Sequence, residues 1–349
     1  MHRTSEMSDY ERSVWQRLVA ETTEDHDTPP GRLRSGLVRA RVAASAQIGK
    51  AKDAVMSLPN AEAVGDAINS AVTNALDGLH SMTVNFGLHS VSHDTVIKHF
   101  TAKGHPVESL DDIRSLDIRA CDSVSASGKQ KYLVAGAGEG AASSLVVTGL
   151  TVSSTVSGGT TAAAAAAAIA ADSVTVLTGM GRIIAHVAAH YGYDVNEPDE
   201  EVFAAGVLSY STATGASQKA TTLAALSRLT QDMMRRTTMA TLSQNQIVRV
   251  IETVFKALGV KMTRKKLAQA VPVAGALING GMNAQLAAHT YSRALTAYRL
   301  RFLTEKYGLD PAEWRPDVDA TDEDSGMPLI DEILDAELAD EDHARRELL

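Results

Sequence analysis

The chain has 349 residues, with 33 basic and 42 acidic side chains and a formal charge of −9. Its 44% apolar content supplies a sizeable core and excludes a wholly disordered chain. A single cysteine, Cys121, excludes a disulfide framework and any zinc module built on cysteine. The charge is uneven. From Asp310 to Leu349 there are 15 acidic and 3 basic residues, a net −12, which leaves +3 on the rest. Such a tail solvates the body, covers its basic surface or binds a partner. The N-terminal residues carry acids and no apolar run, so they do not read as a secretion signal. The expected setting is cytoplasmic, with a soluble or peripheral α-rich protein.

In chain order, Ser8–Ala20 reads as a short helix with Val14, Leu18 and Trp15 on one face. Glu21–Gly31 is acidic, then Pro-Pro-Gly, and reads as a linker. A basic segment runs from Arg32 to Lys52. Asn60 caps a predicted helix whose stripe is Val64, Ile68, Val72, Leu76 and Leu79. Ser109, with Asp112 three residues on, starts a helix over Leu110–Ala120 in the manner of a capping box.

From Gly140 to Ala171 no residue is charged, and Ala162 to Ala168 are seven consecutive alanines. Two helices are predicted, Val134–Leu150 and Thr160–His190, folded back at Ser157-Gly158-Gly159. Small residues let helix backbones approach closely. The stretch is long enough to span a bilayer but rich in hydroxyls and glycine, which weakens that reading. Buried hairpin, membrane insertion and flexible low-complexity sequence are the three alternatives. Further helices are predicted over Asp199–Tyr210, over Gln244–Leu258 with Gly259 as its stop, and over Asn283–Tyr307 ended by Gly308 and Pro311. The fold class is all-α: a compact multi-helix bundle around a central Gly/Ala-rich hairpin. The expected divisions are residues 1–31, 32–130, 131–309 and an acidic tail, 310–349.

Candidate chemistry is sparse. Gly136, Gly138 and Ala141 fit a dinucleotide glycine turn, but no acid follows at ribose-binding distance and no βα series surrounds it. His89 and His93 are four apart and would share one face of a helix, with Asp94 adjacent; His186 and His190 repeat the spacing. These pairs are weak metal candidates, since the glutamate of a metalloprotease helix is missing. Cys121 beside Asp122 is not an activated thiol. No catalytic residue, cofactor or metal is expected.

A basic region is more informative. It comprises Lys219, Arg228, Arg235, Arg236, Arg249, Lys256, Lys261, Arg264, Lys265 and Lys266. Between Arg228 and Lys266 the only acids are Asp232 and Glu252. It is a solvated helix face or a surface for anionic lipid headgroups. Nucleic acid is not an expected partner, because no aromatic platform accompanies the charges. The other expected partners are a membrane protein, or a protein bound by the acidic tail through an amphipathic helix over Met327–Leu338.

Two ordered motifs carry a resemblance. The first is Ala189-His190-Tyr191-Gly192-Tyr193-Asp194 followed by Glu197-Pro198-Asp199-Glu200-Glu201. The second is Val271-Pro272-Val273-Ala274-Gly275-Ala276, with Gly280, Gly281 and Asn283, then a long helix through Tyr298-Arg299-Leu300-Arg301-Phe302. Together they resemble the EcsC family over roughly residues 130 to 310. The resemblance implies a bacterial, membrane-linked protein with no established reaction. It marks Tyr191, Gly192, Tyr193, Asp194, Pro272, Gly275, Gly280 and Asn283 as structural motif positions. Physically these are packing devices: a glycine that ends a helix, glycines that let backbones meet, and tyrosines that bury a ring while bonding a hydroxyl. The favoured reading is a non-enzymatic lipid- or membrane-associated protein. A soluble scaffold using the acidic tail and a metal-dependent hydrolase are the alternatives.

Overall fold

A computed structural model describes residues 4–23, 85, 87–126, 160–213, 215–235, 249–260 and 275–317. Among them the regular structure is helical, with no strand. The all-α prediction therefore holds.

Helix α1 spans Asp9–Thr23 and buries Val14, Trp15 and Leu18, the predicted face. Its start is doubly capped: the Ser8 hydroxyl accepts from the Glu11 amide at 3.2 Å, and the Glu11 carboxylate accepts from the Ser8 amide at 3.1 Å. A 3-10 turn at Leu88–Ser90 precedes α2, His93–Ala102. Helix α3, Leu110–Ser115, has the predicted capping box, with Asp112 taking the role usually held by Glu or Gln. It ends five residues earlier than expected. Leu116 is extended (ψ 162°), and the Asp117 carboxylate accepts from the Arg119 amide at 2.7 Å, so Asp117 caps a new helix, α4, over 118–126.

Helix α5 spans Thr160–His190, the predicted limits. Alanine is the strongest helix former, which accounts for the uncharged run being helical. From Ile183 to Tyr193 every residue is buried, as expected of a helix enclosed by its neighbours. Helix α6, Pro198–Thr212, has proline in its first turn and is buried without interruption from Val202 to Ser211. Helix α7 spans Ala216–Arg235, α8 covers 249–260, and α9 spans Gly275–Tyr307. A 3-10 turn, Pro311–Trp314, follows.

Two expectations need correction. Gly259 does not stop α8, which continues to residue 260. The glycine motif after Pro272 is not a turn throughout, because α9 begins at Gly275. Interior glycine costs a helix about 1 kcal/mol and does not forbid it. Several predicted features lie outside the described residues: the basic segment Arg32–Lys52, the helix after Asn60, the Val134–Leu150 helix with its glycine turn, and the tail beyond residue 317.

Among the described residues the broadest helix interface is α5 against α9, with α6 packed on both and α7 against α6. Side chains from all these helices form one continuous apolar core that includes Phe100, Ile113, Phe203, Phe255, Phe302 and Trp314. Gly308 ends α9 with φ +57°. The residues that follow belong to the body, not the tail. Trp314 is fully buried and donates its indole N–H to Thr304 Oγ1 at 3.1 Å, and the Ser227 hydroxyl donates to the Pro311 carbonyl at 2.8 Å. Arg293 of α9 donates to the carbonyls of Tyr210, Ser211 and Ala213 at 2.6–2.9 Å, which satisfies the orphan C-terminal acceptors of α6. No described helix is long and apolar enough to cross a membrane.

Candidate functional site

The tyrosine–glycine motif ends α5. Gly192 sits at φ +84°, and the Tyr193 amide donates back to the Ala188 carbonyl at 3.0 Å. A Cβ at Gly192 would lie 2.6 Å from the Leu110 carbonyl oxygen and 2.6 Å from Arg114 Cγ. Position 192 thus needs glycine twice, for its left-handed backbone and for the approach of α3. Gly192→Ala is expected to destabilise the protein by about 2 kcal/mol, measured by urea unfolding.

The two motif tyrosines anchor two polar networks on α9. Tyr191 donates its hydroxyl to Asp122 of α4, and Arg299 Nε donates to Asp122 at 2.9 Å and to the Tyr191 hydroxyl at 3.1 Å. Tyr10 of α1 completes this network with a 2.7 Å bond to Asp122. Tyr193 donates to Glu305 at 3.0 Å. Beside it Arg301, only 2% exposed, holds Glu200 with two bonds of 2.6 Å and Glu305 with one of 2.7 Å. Its guanidinium lies 4.2 Å from the Tyr193 ring centre and 4.4 Å from that of Phe203. Burial pulls the Arg301 pKa down, but Glu200 and Glu305 outweigh it and raise it well above the ordinary value.

A third network centres on buried Glu11, which accepts from Lys306 at 2.8 Å and from the Tyr307 hydroxyl at 2.6 Å. Burial raises its pKa, and these bonds more than reverse that, so it sits below the ordinary value. All three networks tie elements distant in sequence to the last turns of α9. None contains an activated nucleophile. Cys121 is fully buried and its thiol is pushed up, first by burial and then by Asp122.

Above the Arg301 network opens a cleft of about 1060 Å³. Helix α2 contributes His93 and Ile97, and α3 contributes Asp111 and Arg114. The α5–α6 connection supplies Gly192 to Asp194 and Glu197. The start of α6 adds Asp199 and Glu200, and the end of α7 adds Met233 and Met234. Motif residues Gly192, Tyr193 and Asp194 therefore line a cavity, besides packing the core.

The histidine pair does not converge. The backbone between His89 and His93 is not helical, because Val91 and Ser92 are extended. His89 Nε2 faces Glu201 at 3.7 Å, and His93 Nε2 faces Asp194 at 3.0 Å. Asp94 is exposed. Among the described residues no three His, Cys, Asp or Glu side chains are placed to hold a metal ion. His186 and His190 do meet, with ring centres 4.0 Å apart, and His99 lies 6.0 Å from His190. His190 Nδ1–H donates to the His186 carbonyl at 2.7 Å, and burial lowers the His190 pKa to about 3. That ring stays neutral and belongs to the core.

The predicted basic residues are only partly described. Arg228 and Arg235 are seven apart on α7, hence nearly in line, and both are exposed. Lys219 is half-buried and lies on the other side of α7, nine residues from Arg228. On α8, Arg249 and Lys256 are likewise seven apart and exposed. Arg236, Lys261, Arg264, Lys265, Lys266 and Pro272 lie outside the described residues, and Gly280 and Asn283 are described as helical backbone only. Sequence reasoning missed the Glu200–Arg301–Glu305 group. The available signal was an arginine set between Tyr298 and Phe302 on an otherwise buried stripe.

The family model described as the EcsC protein family matches residues 43–303. It reaches further toward the N-terminus than the two motifs alone. No curated protein and no solved structure matches the chain. With the family match spanning most of its length, and the first motif built into the helix end and cleft described above, the chain belongs to the EcsC protein family.

Proposed function

We propose that this EcsC-family protein is a non-catalytic, peripheral membrane-associated protein that docks on anionic lipid through the basic faces of α7 and α8. The observation that carries the reading is the alignment of exposed Arg228 with Arg235, repeated by Arg249 with Lys256. From Arg228 to Lys266 there are nine basic residues against two acids, Asp232 and Glu252, so the stretch is net positive in composition. Each basic group close to an anionic leaflet contributes on the order of 1 kcal/mol. The core supports peripheral contact over insertion, because α5 is enclosed by α6 and α9 and its C-terminal half has no free apolar face.

Removing two of these charges by Arg228→Gln and Arg235→Gln is expected to weaken binding to phosphatidylserine vesicles roughly thirtyfold, about 2 kcal/mol. Co-sedimentation measures it. Binding equal to the parent protein's removes this surface from the account.

A further inference from the structure

The cleft above Arg301 has a charge opposite to that of the basic helix faces. Six carboxylates line it, from Asp111, Asp194, Glu197, Asp199, Glu200 and Glu305, against the guanidiniums of Arg114 and Arg301. Both guanidiniums are already engaged. Arg301 holds Glu200 and Glu305, and Arg114 pairs with Asp111. Asp194 faces His93. Glu197 and Asp199 remain: both are exposed, and no described side chain pairs with either carboxylate. The surplus negative charge is therefore displayed at the mouth, where the α5–α6 connection enters α6.

A second, independent feature lies on the same rim. Met234 is 36% exposed and is the one large apolar side chain exposed among the described residues. With Met233 and Ile97 it gives the acidic cleft an apolar edge. Methionine is flexible and polarizable and suits surfaces that accept varied side chains. The volume, about 1060 Å³, lies just above the roughly 300–1,000 Å³ of small-molecule pockets. An acidic mouth, an apolar edge and this size match a chain segment whose side chains are cationic at the tip and aliphatic along the stem, as lysine and arginine are.

We propose that the cleft binds a lysine- or arginine-bearing peptide segment of a partner protein. The cationic tips meet Glu197 and Asp199, and the aliphatic stems and any apolar neighbour lie on Met233, Met234 and Ile97. The cleft lining includes none of the basic residues assigned to the α7 and α8 faces, although Arg235 adjoins Met234, and the proposal does not depend on membrane docking.

The test uses the full chain and a fluorescein-labelled peptide of alternating lysine and leucine, read by fluorescence anisotropy at physiological salt. The glutamate–leucine counterpart is the control. The lysine peptide is expected to bind and the glutamate peptide not. Glu197→Gln with Asp199→Asn, at exposed positions that keep the backbone bonds of the turn, is expected to weaken binding about tenfold. Met234→Ser is expected to weaken it severalfold. Arg249→Gln with Lys256→Gln, on α8, none of whose described residues lines the cleft, is expected to leave peptide affinity unchanged, and Glu197→Gln with Asp199→Asn to leave vesicle binding unchanged. Failure here is thus distinguishable from failure of the membrane reading. Peptide binding that ignores the cleft substitutions overturns the proposal and places the contact on the acidic tail. Displacement of the peptide by spermidine at equal concentration, with loss of the Met234 effect, also overturns it in favour of a small polycation. No binding of the lysine peptide overturns it outright.

Discussion

Replacing Arg301 with methionine is expected to lower the unfolding free energy by about 3–5 kcal/mol. The loss arises from what is left behind. Glu200 and Glu305 have side chains only 14% and 22% exposed, and Arg301 supplies the bidentate pair to one and the Nε bond to the other. Without the guanidinium, two close carboxylates share a desolvated site with only the more distant Arg114 as counter-charge, and Tyr193 keeps a hydroxyl bonded to one of them. Arg301→Lys is expected to recover only part of the stability, since an ammonium cannot reproduce the planar fork. Changing Arg301, Glu200 and Glu305 together to apolar residues of similar volume is expected to recover most of it, because the desolvation cost of the ions leaves with them. Urea unfolding followed by circular dichroism measures all three. A loss below about 1 kcal/mol for Arg301→Met would mean the group is solvated.

Glu201→Gln is expected to act in the opposite direction and to depend on pH. Burial raises the Glu201 pKa from an ordinary 4.5 to about 7. The folded protein therefore holds this proton more tightly than the unfolded chain. The favourable contribution is complete below about pH 4.5 and is lost as pH rises through about 7. Glutamine is neutral throughout and avoids the cost of a buried carboxylate. The shift corresponds to at most about 3 kcal/mol, and solvent reaching the 14% exposed side chain reduces this to about 2 kcal/mol. The variant is expected to be more stable than the parent by that amount near pH 8 and equal to it near pH 4. Equal stability at both values would show that Glu201 is fully ionised when folded. His89, facing it at 3.7 Å, has its own pKa lowered by burial and is a weak counter-charge near neutral pH.

Helix ends were the most legible part of the fold, because capping is local chemistry. Ser109 with Asp112, Gly192, Pro198 and Gly308 each stand where a helix starts or stops. The misplaced ends have physical reasons. Asp117 competes as a cap and splits one predicted helix into α3 and α4. Gly259 lies within a helix, where packing outweighs its propensity. The weak histidine pair does not share a face, because four-residue spacing aligns two rings only if the backbone between them is helical, and Val91–Ser92 is extended. The cleft was not legible at all. Its walls come from α2, α3, α6, α7, α9 and the α5–α6 connection, and the Glu200–Arg301 pair joins positions 101 residues apart. No spacing rule connects such residues. The basic region was legible as composition but not as surface: Arg228 and Arg235 align, whereas Lys219 lies across the helix from them.

Family membership gives this protein a motif set, and its charges give it an acidic cleft and exposed basic positions on α7 and α8. The most direct measurement is co-sedimentation of the unmodified chain with phosphatidylserine-containing and neutral vesicles across a salt series. Peripheral docking by the α7 and α8 faces predicts pelleting with anionic vesicles alone, fading as salt shortens the screening length. Salt-resistant pelleting with both vesicle types, or no pelleting with either, would contradict it.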